Sequence, residues 1–247
     1  MKAVVFSGTS EGREISLYLN NKKIESKVFV ATEYGKAVME EMSYISISVG
    51  RLDKEKMEKA VEGADFVIDA THPFACEVTK NIKFVCGKMK IKYIRLLRDD
   101  GIKDRNGIIS VKNIQAAVRV LKNTDGNIFV STGAKELDKY CEIENYKKRI
   151  AVRVLPILES KEKCISLGIE NVIYKKGPFS YFENTEDFKR HNIKWLVTKN
   201  SGKKGGFDEK INAARDLGIN IIVVERPEED GLSVEEVKNF IDEQYES

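Results

Sequence analysis

The sequence predicts an α/β protein of two domains, each with a mostly parallel sheet layered between helices. Three observations predict it. Short β-branched runs alternate with amphipathic stretches of helical length along all 247 residues. Several runs are continuously apolar, as in Val4-Val5-Phe6, which suits strands buried on both faces of a parallel sheet. A charged stretch with two glycines, Arg98 to Gly107, breaks the alternation, and a second alternating set follows it.

The elements follow in order. Lys2 to Phe6 is the first strand, and Glu11 to Asn20 a helix with Ile15, Leu17, Tyr18 and Leu19 as core candidates. Lys27 to Ala31 is a strand, Gly35 to Met42 a short helix, and Tyr44 to Val49 a strand in which Ile45, Ile47 and Val49 alternate with serines. Lys54 to Glu62 is helical, Asp65 to Ala70 a strand, Ala75 to Lys88 a helix, and Ile91 to Leu97 a strand. Beyond the break come a helix at Val111 to Lys122, a strand at Asn127 to Ser131 and a short helix at Lys135 to Tyr140. Arg149 to Leu155 is a strand stopped by Pro156, followed by a helix at Glu159 to Leu167 and a strand at Asn171 to Lys175. Tyr181 to His191 is a helix, Lys194 to Thr198 a strand, Phe207 to Leu217 a helix and Asn220 to Glu225 a strand. Ser233 to Glu243 closes the chain as a helix, with Ser233 and Glu236 at capping-box spacing. The order is Rossmann-like in both halves, so two three-layer domains are expected. Residues 1-99 form a dinucleotide-binding domain and residues 108-247 a second α/β domain, with a ligand cleft between them.

Composition narrows the function. The 42 Lys and Arg against 39 Asp and Glu give a net charge of +3, which excludes a strong polyanion binder of the histone type. No stripe of aromatics marks a base-stacking platform, so nucleic acid is not an expected partner. No apolar run approaches the ~18 residues that cross a bilayer. The start, Met1 to Gly8, lacks the pattern of a signal peptide, so no membrane association and a cytoplasmic location are expected. Cys76, Cys86, Cys141 and Cys164 show no C-x-x-C pair and are expected as reduced thiols. Two histidines, His72 and His191, give a His-based metal site little to work with, and no metal is expected.

The chemistry concentrates at strand ends. Ser7-Gly8-Thr9-Ser10-Glu11-Gly12-Arg13 joins the first strand to the first helix, where glycine admits a phosphate to the backbone and the helix offers free N–H groups. It is not G-x-G-x-x-G, and a plain capped βα turn is the alternative reading. Asp69-Ala70-Thr71-His72-Pro73-Phe74-Ala75 ends the fourth strand. There Thr71 caps a helix in the bland reading, while Asp69 or His72 relays a proton in the functional one. Ser131-Thr132-Gly133-Ala134-Lys135, Lys176-Gly177-Pro178-Phe179-Ser180 and Thr198-Lys199-Asn200-Ser201-Gly202-Lys203-Lys204-Gly205-Gly206 repeat the strand–loop–helix device. With the domains facing through these ends, Lys135, Lys175, Lys176, Lys199, Lys203 and Lys204 make a basic cleft suited to a small polyanion. Glu33 lies at the place, about 20 residues past the glycine turn, where an acid accepts from a ribose 2′-hydroxyl. Lys36, a helical turn on, could instead attract a 2′-phosphate.

Taken together and in this order, Gly-Thr-Ser-Glu-Gly-Arg, Asp-Ala-Thr-His-Pro-Phe-Ala, Ser-Thr-Gly, Gly-Pro-Phe-Ser and Thr-Lys-Asn-Ser-Gly resemble the precorrin-6A reductases, including the cobalt-precorrin-6A reductases of anaerobic cobalamin biosynthesis. The resemblance runs from Met1 to about Pro227. It implies reduction of one double bond of the precorrin-6A or cobalt-precorrin-6A macrocycle, giving the 6B product, with NADH or NADPH. Glu33 inclines the reading to NADH. The resemblance implies that Gly8, Thr9, Ser10, Glu11, Gly12 and Arg13, with Glu33 and Thr71, hold the cofactor. It gives the tetrapyrrole polycarboxylate to Ser131, Thr132, Gly133, Lys135, Gly177, Pro178, Thr198, Lys199, Asn200, Ser201 and Gly202. Asp69, His72 and a bound water are the candidate proton donors. The alternative from another class is a non-catalytic dinucleotide sensor or tetrapyrrole-binding protein. The oligomeric state is left open, with a monomer sufficient for the reading.

Overall fold

The computed structural model describes every residue except 38, 40, 41, 99–103, 105, 203, 204, 246 and 247. Parts of the expected Gly35–Met42 helix and Arg98–Gly107 linker, and both Lys203 and Lys204, lie outside the described residues. The chain divides into two compact units, Met1–Asp99 with Glu228–Ser247, and Asp100–Pro227.

The first unit runs β1 (Lys2–Ser7), α1 (Ser10–Asn21), β2 (Glu25–Val30), α2 (Glu33–Ala37), β3 (Ile45–Val49), α3 (Lys54–Val61), β4 (Phe66–Ala70), α4 (Cys76–Met89) and β5 (Lys92–Arg95). Its strands are parallel in the order β3-β2-β1-β4-β5. Strand alternation explains the layers. Ala3 and Val5 of β1 face Ile15 and Leu19 of α1, while Val4 and Phe6 face Met57 and Val61 of α3 and Ile82 and Val85 of α4.

The second unit runs β6 (Ile108–Val111), α5 (Ile114–Leu121), β7 (Asn127–Ser131), a 3-10 turn (Leu137–Glu142), α6 (Tyr146–Arg149), β8 (Ile150–Val154), α7 (Leu158–Ser166), β9 (Asn171–Tyr174), α8 (Tyr181–Arg190), β10 (Ile193–Lys199), α9 (Phe207–Asp216) and β11 (Asn220–Val224). The sheet is again parallel, in the order β6-β11-β10-β7-β8-β9. Phe129, Leu196 and Val223 of the sheet pack with Phe188 of α8 and Phe207 and Ile211 of α9.

The α/β class with parallel sheets is the one predicted. Three details differ. β6 falls between the expected break at Arg98–Gly107 and the expected helix, whose first residue, Val111, it takes. It is a four-residue edge strand paired only to β11, too short to show a period. The expected helix at Lys135 to Tyr140 is a 3-10 turn, and α6 is an addition. The third concerns the last helix, α10 (Val234–Tyr245), which was expected in the second domain. Its capping box forms, with the Ser233 amide donating to Glu236 Oε2 at 2.8 Å and the Glu236 amide donating to Ser233 Oγ at 3.3 Å. The helix belongs to the first unit. Val237 and Ile241 are buried beside Ile15 and Leu19, Phe240 meets Phe66 edge-on, and Tyr18 donates to Asp242 at 2.7 Å. The preceding segment is pinned by backbone, with the Leu97 amide donating to Leu232 and the Leu232 amide donating to Arg95.

Candidate functional site

Chain order reverses between β1 and β4, because β1 leads to β2 on one side while β4 leads to β5 on the other. Ligands of open α/β sheets bind at the carboxyl ends flanking such a point. Here the two turns touch. The Gly8 amide donates to the Ala70 carbonyl at 3.1 Å, as does the Thr9 hydroxyl at 3.1 Å. A Cβ on Gly8 would sit 3.4 Å from the His72 amide nitrogen. Thr9 caps α1 by accepting from the Gly12 amide at 3.1 Å, and the Arg13 amide donates to the Thr9 carbonyl. By helix geometry the amides of Ser10 and Glu11 are among those without a partner inside α1. Those two N–H groups at the positive end of the helix fit a phosphate.

Gly12 has another task. It is buried, and a Cβ there would lie 2.7 Å from Ser7 Oγ and 2.8 Å from Ala70 Cβ. Its missing side chain seats α1 against β1 and β4, which is the close helix–strand packing role. The turn is therefore not a surface feature at this residue.

Glu11 is buried, and Arg98 balances its charge. Arg98 Nε lies 3.3 Å from Glu11 Oε2, Arg98 Nη2 donates to Ser10 Oγ at 3.2 Å, and Ser10 Oγ donates to Glu11 Oε2 at 3.1 Å. Sequence reasoning missed Arg98, because it opens the charged stretch that reads as a linker. Glu33 and Lys36 are exposed beyond β2, the strand beside β1, where the Thr32 hydroxyl accepts from the Gly35 amide at 3.1 Å.

At the end of β4 the geometry gives Asp69 a structural task. Its side chain is wholly enclosed. Oδ1 accepts from the Thr71 amide at 3.0 Å, the Thr71 hydroxyl at 2.6 Å and Arg95 Nη1 at 3.0 Å, and Oδ2 accepts from Tyr93 at 3.0 Å. Arg95 is held in turn by Glu229, 2.9 Å from its Nε, and its Nη1 donates to the Thr71 carbonyl at 3.0 Å. Burial, with Asp69 alongside, pushes the Tyr93 hydroxyl far above its usual range, so it stays a donor. A carboxylate whose lone pairs are so committed, and which no solvent reaches, does not relay protons to a ligand. Thr71 is likewise committed, to Asp69 and to Thr79 at 3.1 Å. His72 is half-buried. Its Nδ1 accepts from the Phe74 amide at 3.3 Å, which assigns the proton of the neutral ring to Nε2.

In the second unit the reversal falls between β7 and β10, with Ser131 in register with Thr198. The loops carrying Ser131–Gly133 and Thr198–Gly202 are thus neighbours. The loop after β9 joins them, since a Cβ on Gly206 would lie 3.4 Å from both Pro178 Cβ and the Phe179 amide nitrogen. Gly133 and Gly202 have φ of +85° and +75°, the left-handed region that glycine enters without strain. Several expected substrate residues hold the loops themselves. Thr198 is buried, Thr132 meets the Tyr140 hydroxyl at 3.3 Å, and Ser131 donates to the Val197 carbonyl at 3.3 Å. Asn200 is buried, donates to Glu225 at 3.2 Å and takes Arg226 Nε on its carbonyl at 3.0 Å. Lys199 Nζ lies 3.3 Å from Glu136. Burial pushes the Glu136 carboxyl up, but Lys139 and Lys199 more than offset it and hold it below its usual range. Lys135, Gly177 and Pro178 are exposed.

Sequence reasoning also missed Arg153 and Lys210, both buried below these loops. A lone arginine inside the apolar run Ile150-Ala151-Val152-Arg153-Val154 was the available signal.

A cleft of about 230 Å³ opens at the other end of this sheet, lined by Asn127, Lys148, Arg149, Arg190 and His191 among others. Its cations come from the last turns of α6 and α8, where they offset the carbonyl ends of those helices. It is remote from the loops above.

Comparison with known proteins gives the family and the fold. Residues 2–243 match the family model described as Precorrin-6x reductase CbiJ/CobK. The chain is 31% identical over 230 residues to the cobalt-precorrin-6A reductase of Priestia megaterium, covering 91% of this chain and 90% of that protein. It is 34% identical over 237 residues to that of Methanothermobacter thermautotrophicus, covering 92% and 77%. Among solved structures, a CobK precorrin-6A reductase superposes with a TM-score of 0.80 at 22% identity, over 98% of this chain and 97% of that one, and supports the fold.

Proposed function

The chain belongs to the precorrin-6x reductase family of CbiJ and CobK, and from that premise we propose that it reduces one double bond of precorrin-6A or cobalt-precorrin-6A with NAD(P)H. It is an oxidoreductase of cobalamin biosynthesis. One observation supports the placement of the cofactor most directly: the Gly8–Thr9 turn meets Ala70 where strand order reverses, beside the Ser10 and Glu11 amides that helix geometry leaves without intrahelical partners.

A bound reduced nicotinamide supplies the hydride. The rest is the work of this chain. In this reading the amides of Ser10 and Glu11 bind the pyrophosphate, and Arg98 keeps the Glu11 carboxylate from repelling it. Glu33 accepts from the ribose hydroxyls, which favours NADH over NADPH. In the second unit Lys135, Lys175, Lys176 and Lys199 meet the acetate and propionate carboxylates of the macrocycle through charge-assisted hydrogen bonds. With its ring neutral, His72 Nε2–H orients by hydrogen bond a bound water, and that water, drawing on solvent, gives the proton to the carbon next to the one that receives hydride. Asp69 and Arg95 hold the turn that carries His72.

Steady-state oxidation of NAD(P)H with precorrin-6A, with and without cobalt in the ring, tests the reading. Tetrapyrrole-dependent oxidation supports it. Cofactor binding without turnover on either substrate refutes it in favour of a sensor.

A further inference from the structure

Two buried cations lie under the loops of the second unit, and one of them, Lys210, has no carboxylate partner among the described residues. Lys210, on α9, is enclosed, and its Nζ donates to Thr198 Oγ1 at 3.0 Å. Among the described residues no carboxylate forms an ion pair with it. Arg153, on β8, is also buried. Its Nη1 donates to Asp187 of α8 at 3.0 Å and its Nη2 to Asn184 at 2.6 Å, and its guanidinium stacks 3.6 Å from the centre of the Phe179 ring. Lys175, just past β9, reaches the other oxygen of Asp187 at 3.7 Å. Asp187 thus pairs with both Arg153 and Lys175, Glu183 adds its attraction, and among the described residues no carboxylate pairs with Lys210.

Placement gives the imbalance a use. Thr198 heads the loop that runs to Gly202. Phe179 follows Gly177 and Pro178 in the loop that Gly206 touches. Both cations thus lie below the point where the loops meet, at the carboxyl ends of the strands. An unpaired buried charge costs several kcal/mol, and apolar residues would do better if stability were all. Positive potential focused through a low-dielectric floor attracts an anion above it.

We propose that Lys210, acting through Thr198 with Arg153 beside it, is a positioning residue that draws one carboxylate of the tetrapyrrole onto the Thr198–Gly202 and Gly177–Phe179 loops. The proposal rests on the substrate class of the preceding section. The charged group that acts on Lys210 is Arg153 from β8; Asp187 from α8 pairs with Arg153 and with Lys175 beyond β9, and Asp208 and Glu209 precede Lys210 on its own helix. Burial, with Arg153 adding to it, pulls the Lys210 ammonium down to about 7. An arriving carboxylate favours the charged form, so binding takes up protons above that pH.

The test uses the full chain and cobalt-precorrin-6A. In Lys210→Met the KM for the tetrapyrrole rises about tenfold at pH 6, the effect of a field worth about one pKa unit. The kcat and the cofactor Kd stay near wild type. Thr198→Val, which cuts the link, shifts KM in the same direction. For the wild type kcat/KM falls as pH rises through about 7, and Lys210→Arg abolishes that fall. A folded Lys210→Met with wild-type KM, or a fall that persists in Lys210→Arg, overturns the proposal. If the wild type binds the tetrapyrrole without turning it over, the reductase reading fails. The same comparison of Lys210→Met with wild type, made on tetrapyrrole Kd by fluorescence titration, then decides this inference by itself.

Discussion

Arg95 Nη1 sits 3.0 Å from Asp69 Oδ1, and both side chains are buried. The pair ties the end of β5 to the turn after β4. Glu229, from the segment that leads into α10, completes it at 2.8 Å from Arg95 Nη2. Removing one partner of a buried pair leaves the other uncompensated. Asp69→Asn should therefore lose about 3 kcal/mol of stability by urea denaturation. A loss of less than about 1 kcal/mol, accompanied by abolished turnover, would return Asp69 to the chemistry.

The two turn glycines separate packing from binding. Gly12→Ala places a methyl 2.8 Å from Ala70 Cβ and should cost about 1–3 kcal/mol of stability. Gly8→Ala meets the His72 backbone at 3.4 Å, a tight but tolerable approach. It should keep the fold and weaken cofactor binding by at least ~1.4 kcal/mol, a factor of ten. Thermal melts and cofactor titrations on both variants check the contrast, and the reverse pattern would exchange the two roles.

Cofactor choice turns on Glu33 and Lys36. The expected wild type prefers NADH, and Glu33→Ala narrows the preference. A wild-type kcat/KM favouring NADPH by more than about tenfold, or ~1.4 kcal/mol, would assign the position to Lys36 instead.

Lys199 reaches a substrate carboxylate only by leaving Glu136. Glu136→Gln should thus lower the KM for the tetrapyrrole, while Lys199→Ala should raise it by the ~1.5–3 kcal/mol of a charge-assisted contact. An unchanged KM in Glu136→Gln would make the pair a loop brace.

Stability against pH reports on Lys210. Its folded value is depressed to about 7 from an ordinary 10.5, so between those limits the unfolded chain holds more protons. Stability on this group's account rises with pH across that window and is lowest below it. Lys210→Met should raise the melting free energy by at least ~1 kcal/mol at pH 6 and by less at pH 10. An equal gain at both would mean that the lysine is not titrating in the fold.

Much of the protein was legible in the chain because it depends on neighbours in sequence. Val4-Val5-Phe6 reads as a doubly buried strand, Ser233 reads as a helix start, and the glycine turns read as strand-end loops. Each is decided by a period, a cap or a backbone angle within a few residues. The motifs also placed the loops after β7, β9 and β10 on strand ends, since a strand–loop–helix pattern puts its loop there in any parallel sheet.

Tertiary structure alone decided the rest. The stripe of Val237, Phe240 and Ile241 shows that α10 is half-buried, but an apolar face carries no address. Only burial beside Ile15, Leu19 and Phe66 assigns it to the first unit. Asp69 and Thr71 look like reactive groups in a row, and it takes Arg95 and Tyr93 from another strand to turn them into a keystone. Gly12 looks like a phosphate contact until Ala70 is found against it. Arg98 and Lys210 carry no local sign at all. A charge reads as surface in sequence because water is the default partner, and what replaces water is set by residues far away in the chain.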